Sequence, residues 1–117
     1  MKIYEIKEVL EATVLVGEDR LDQTVAAGGG ADLMDDVLTA VAEGAVLLTG
    51  LTNEQVLRTA KIAGVALIVF VRGKKPDPSI LELAESYNLP ILTTRFSLFV
   101  ASGRLYMNGL RGLDGSW

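Results

Sequence analysis

The sequence predicts an α/β fold: a single domain with a mostly parallel sheet and helices on both faces. Three observations carry this. Between Thr24 and Tyr87 a strand–loop–helix pattern repeats three times, and Pro90 opens a fourth repeat. Such alternation favours parallel strands joined by right-handed crossovers, which lay helices over the sheet. The run Val65-Ala66-Leu67-Ile68-Val69-Phe70-Val71 is apolar without alternation, as a strand covered on both sides must be. Half of the 117 residues are hydrophobic and 22% are charged, a globular composition with material for one core.

Ile6, Val9 and Leu10 fall at helical spacing and predict a first helix over Ile6 to Ala12. Thr13 to Val16 is β-branched and apolar, and Gly17 to Arg20 is its polar turn. Thr24 to Ala27 predicts a short strand, with Gly28-Gly29-Gly30 as the loop beyond it. Asp32 caps the next helix, with Asp35 and Asp36 in the first turn and Leu33, Met34, Val37, Leu38 and Val41 as one apolar face. Gly44 ends that helix, and Ala45 to Leu48 is the following strand.

Thr52 or Asn53 caps a helix through Ala63, and Gly64 stops it. After the strand at Val65 to Val71, Asp77 or Ser79 caps a helix to Tyr87 with Pro78 in its first turn. Ile91 to Thr93 is a strand, and Phe96, Phe99 and Val100 predict a last short helix closing at Gly103. Residues 1–107 form the domain. Residues 108–117 read as a glycine-containing tail, loose unless Leu110 or Leu113 pins it.

Two absences narrow the chemistry. Without Cys the chain has no thiolate nucleophile, disulfide or thiolate metal site, and without His it has no imidazole base. A formal net charge of -4 argues against nucleic acid, whose phosphates demand clustered positive charge. Met1 to Leu10 carries frequent charges and no apolar leader core, and no apolar run approaches a membrane span. The expectation is a cytoplasmic protein that binds neither nucleic acid nor membrane.

In open parallel sheets, ligands gather beyond the carboxyl ends of the strands. The loops expected there hold Gly29, Gly30 and Asp32, then Thr49, Gly50 and Asn53, then Arg72, Gly73 and Lys74, then Thr93, Thr94 and Arg95. Glycines admit a ligand to the backbone, and helix N-termini with Arg72, Lys74 and Arg95 favour an anion. The same residue types also suit tight strand–helix turns without any ligand. Neither a dinucleotide fingerprint nor a P-loop is present, because Leu33 replaces the third glycine and Gly73-Lys74 lacks the hydroxyl. The three Asp residues permit a Mg²⁺ cluster but are explained by capping, so no metal is expected. No carboxylate is paired with a placed nucleophile, so no catalytic residue is assigned.

Several segments carry a family resemblance. They are Ala31 to Leu38, Leu47 to Asn53, Ile68 to Pro76, Ile91 to Thr94 and Gly103 to Tyr106. Together they resemble the DRTGG domain family, similar to the N-terminal regulatory domain of HPr kinase/phosphorylase. Of the namesake motif this chain keeps Asp19-Arg20, and Thr49-Gly50 lacks the second glycine. The resemblance implies a regulatory α/β module that pairs with its own copy. Relatives accompany CBS domains in adenine-nucleotide-controlled pyrophosphatases, and short members occur in anaerobes beside iron-only hydrogenases and serine-kinase-like regulators. It therefore implies a non-catalytic homodimer with an adenine nucleotide as first candidate ligand. The alternatives are a docking scaffold for a larger metabolic enzyme or kinase and, further off, a phosphoryl- or acyl-transfer enzyme.

Overall fold

The computed structural model describes residues 1–31 and 43–112. The helix expected from Asp32 onward, including Asp35 and Asp36, lies outside the described residues, as does Leu113. Helix α1 (Ile3–Val9) leads into β1 (Thr13–Val16), a single 3₁₀ turn at Glu18–Arg20, and β2 (Gly28–Gly30). Then come β3 (Val46–Thr49), α2 (Glu54–Ala63), β4 (Leu67–Phe70), α3 (Pro78–Ser86), β5 (Ile91–Thr93) and α4 (Leu98–Met107).

The sheet order is β1-β5-β4-β3-β2. Strands β2 to β5 run parallel, with Val46 opposite Leu67 and Ile68 opposite Ile91. Strand β1 closes one edge antiparallel to β5, with Thr13 opposite Thr93. The predicted mostly parallel α/β fold is the observed one.

Alternate residues of each buried strand serve the two faces. Val46, Leu48, Leu67, Val69 and Leu92 pack with Ile3 and Ile6 of α1 and Ala101 and Leu105 of α4. Leu47, Ile68, Phe70 and Ile91 pack with Val56, Leu57 and Ala60 of α2 and Ile80 and Ala84 of α3. Because β3, β4 and β5 need core on both sides, their sequences lack polar alternation.

Three elements differ from expectation. Helix α1 spans Ile3–Val9, not Ile6–Ala12. The Lys2 amide donates to Glu5 Oε1 (2.8 Å), which starts the helix early, and Glu11 takes a positive φ of 50° beyond its end. Thr24 to Ala27 is not the sheet strand. Val25 donates to the Met1 carbonyl (2.7 Å), and Thr24 bridges Lys2, so this extended segment pairs with the N-terminus.

The strand is the glycine run itself. A Cβ at Gly28 would stand 2.9 Å from Leu110 Cδ2, and one at Gly30 would stand 2.7 Å from Leu98 Cδ1. Glycine therefore lets α4 and the segment after it close onto the edge of the sheet. Helix α4 also runs past Gly103 to Met107, because Ala101 and Leu105 continue its buried face. Beyond it Leu110 is buried, and the Gly28 amide donates to the Arg111 carbonyl (2.9 Å). Leu110 is thus the pin.

Candidate functional site at the carboxyl edge of the sheet

The loop after β4 leaves toward α3 on one face, and the loop after β5 leaves toward α4 on the other. Divergence of this kind opens a crevice in many parallel sheets. Here hydrogen bonds bridge it. Arg72 N–H donates to the Phe96 carbonyl (2.8 Å) and Gly73 N–H to the Thr94 carbonyl (2.7 Å). Both residues are left-handed, with φ of 58° and 67°, a turn that aims their amides at the β5 loop. The Thr93 hydroxyl completes the seam by donating to the Lys74 carbonyl (2.8 Å).

The threonines expected at a ligand site are buried and engaged. Thr94 Oγ1 donates to the Leu10 carbonyl (2.7 Å) and accepts from Phe96 N–H (3.3 Å). Thr49 Oγ1 accepts from Leu51 N–H (3.2 Å), and its carbonyl accepts from Val71 N–H (3.0 Å). Asn53 Oδ1 accepts from Val56 N–H (3.1 Å), capping α2. Asn53→Ala is expected to remove about 1 kcal/mol of stability, read as a thermal midpoint lower by roughly 3–6 °C.

The basic residues divide. Arg95 turns toward α1, where its guanidinium meets Glu11 Oε1 at 3.1 Å, and it remains exposed. It does not converge with Arg72 and Lys74 as the sequence suggested. Arg72 reaches across Gly50: a Cβ built there would collide with its guanidinium, so glycine makes the room. Lys74 and Gly73 are exposed beside it. Gly50, Arg72, Gly73 and Lys74 therefore form the group that the structure brings together.

Gly29 and Gly30 belong elsewhere. With Gly28 they line a separate pocket of about 220 Å³ between β2 and α4, bounded by Leu105, Tyr106 and Arg111. The Arg111 guanidinium lies over the Tyr106 ring at 4.3 Å. The one trace of this pocket in the sequence is a glycine run followed far along the chain by Leu110, a pairing too dispersed to read unaided. Asp32 lies outside the described residues.

Among the described residues no group of three or more carboxylates is placed to hold a metal ion, and no helix is long and apolar enough to cross a membrane. The ion pairs Arg58–Glu54, Arg95–Glu11 and Arg104–Glu11 are all solvent-exposed. Such pairs contribute about 0–1 kcal/mol each.

Fold and edge together define a three-layer α/β module whose carboxyl-edge loops are tied to one another. The chain belongs to the DRTGG domain family, whose model matches residues 5–106. It is also similar to a solved structure, the CBS and DRTGG domains of the regulatory region of Clostridium perfringens pyrophosphatase, complexed with its activator diadenosine tetraphosphate. The sequences are 22% identical and the TM-score is 0.74, a likeness of fold. The match covers 89% of this chain and 45% of that one, so the chain spans less than half of that regulatory region. None of the curated proteins matches the sequence.

Proposed function

We propose that this chain is a non-catalytic regulatory module that pairs with a second copy and binds a small anion at the Arg72–Lys74 turn. The observation that carries the ligand reading is the Arg72 guanidinium laid over Gly50 from a left-handed backbone. A non-glycine residue at φ 58° is uncommon, and such strain concentrates where a side chain must be aimed. Lys74 on the same turn adds positive charge. The absence of His and Cys supports a role without catalysis.

An adenine nucleotide is the first candidate, supported by the activator in the structural neighbour and by the shared domain. The expected setting is the cytoplasm of an anaerobe. Docking on a larger metabolic enzyme or kinase is the second reading, supported by the neighbour's place in the regulatory region of a pyrophosphatase.

Calorimetric titration with AMP, ADP, ATP and diadenosine tetraphosphate tests the ligand. Wild type is expected to bind one of them in the micromolar to millimolar range. Arg72→Ala is expected to weaken it by roughly 10- to 100-fold, the equivalent of one charge-assisted hydrogen bond. Binding unaffected by the substitution moves the site away from this turn. Absence of heat with every nucleotide leaves the docking role as the better account.

A further inference from the structure

The outer face of α4 is apolar where a solvent-facing helix is ordinarily polar. Phe99 and Met107 are 88% and 87% exposed, and Val100 and Tyr106 are 41% and 44% exposed. At 3.6 residues per turn, Phe99 and Met107 fall about 40° to either side of Gly103, and Val100 and Tyr106 about 60°. The buried residues Ala101 and Leu105 lie on the opposite side of the helix. Arg104 is held at one flank by the Val9 carbonyl (3.3 Å), by Glu11 (3.6 Å) and by the Phe96 ring (4.1 Å). The helix itself contains no acidic residue.

Two features say what covers this stripe. Its large residues stand at –4, –3, +3 and +4 from Gly103, so the pattern reads alike in both directions. A Cβ at Gly103 would meet nothing within 4 Å. An isologous interface demands a patch that complements itself under a two-fold rotation. An axis through Gly103 sets two copies of α4 antiparallel. Phe99 then lies beside Tyr106 of the second copy, Val100 beside Met107, and the two glycines let the backbones approach.

The Phe99–Tyr106 contact is an aromatic pair, which is favourable beyond its buried area. Side chains of these sizes and exposures present on the order of 500 Å² per copy. The pair would bury about 1,000 Å², near the lower bound for a specific interface.

We infer that α4 is the pairing surface of this protein, its occupant being a second copy of the chain packed antiparallel about Gly103. The inference rests on the pairing part of the proposed function and adds the face and the register. Because the chain has no Cys, Gly103→Cys introduces its one thiol at the axis. Two Cα atoms meeting there fall within disulfide reach.

Under mild oxidation Gly103→Cys is expected to form a covalent dimer at least about ten-fold faster than Glu82→Cys on exposed α3, because pairing raises its effective concentration. Gly103→Arg, with open space around it, is expected to be monomeric by light scattering while keeping the wild-type circular dichroism spectrum. If wild type is itself monomeric at micromolar concentration, both the pairing reading and this face fail. If wild type is dimeric but Gly103→Cys links no faster than Glu82→Cys, or Gly103→Arg stays dimeric, pairing stands and this face is wrong.

Discussion

Phe70→Ala is expected to lower the free energy of unfolding by about 3–5 kcal/mol. The ring is fully buried at the end of β4 and packs in the core shared with α2 and α3. Truncation removes its transfer free energy and leaves a cavity that close-packed strands on either side cannot collapse to fill. Small domains have only about 5–15 kcal/mol in total, so the variant approaches the threshold of folding. Urea denaturation checks this: the midpoint should fall strongly with little change in slope. Ile62→Ala is the matched control, since that side chain is 77% exposed, and its effect should stay within about 0.5 kcal/mol. A Phe70→Ala loss below about 1.5 kcal/mol would be incompatible with a core on this face of β4.

The second large effect is expected at Thr94. Its hydroxyl joins the end of α1 to the carboxyl edge through the Leu10 carbonyl and also accepts the Phe96 amide. Thr94→Val keeps the shape and removes both bonds, leaving a carbonyl and an amide without that partner at a site 2% exposed. Each such group is worth about 1–3 kcal/mol, so a loss of roughly 2–4 kcal/mol is expected. Nucleotide titration separates this role from a ligand role. Below the lowered thermal midpoint, Thr94→Val should bind as wild type does, whereas Arg72→Ala should not. A stable Thr94→Val protein with lost binding would return Thr94 to the ligand site.

The elements legible in the sequence are those whose causes are local. Asn53 caps α2 with its own side chain, Gly64 stops that helix at φ 76°, and the apolar run after it contains β4. Strand β5 at Ile91–Thr93 follows Pro90 directly. The glycine strand was not legible, because Gly28 and Gly30 form a strand only when Leu110 and Leu98 fill the places of their side chains. The same limit applies to the site. Thr93 and Thr94 have the chemistry of ligand contacts, and only the fold shows Lys74 and Leu10 taking their hydroxyls. Arg95 reads as a third anion-binding cation until Glu11 is brought beside it. Phe99 and Val100 announced a helix at the right place, but the side that α4 buries is Ala101 and Leu105.

The placement of β1 at the far edge of the sheet has a consequence for synthesis. Strands β2 to β5 each pair with the next parallel strand in the chain, so that part of the sheet can be laid down in the order of translation. The α1–β1 segment emerges before them, yet its sheet partner is β5, and Thr13 waits for Thr93. The contacts that lock it are equally remote, with Thr94 reaching Leu10 and Arg104 reaching Val9 across 84 and 95 positions. On the ribosome, α1–β1 is thus made before the strands of the parallel sheet and docks only once β5 is present. Until β5 emerges, Ile3, Ile6 and Leu10 lack part of the core that covers them in the finished domain. A nascent chain stalled before Ile91 should therefore expose α1 to protease, and release of the full chain should protect it.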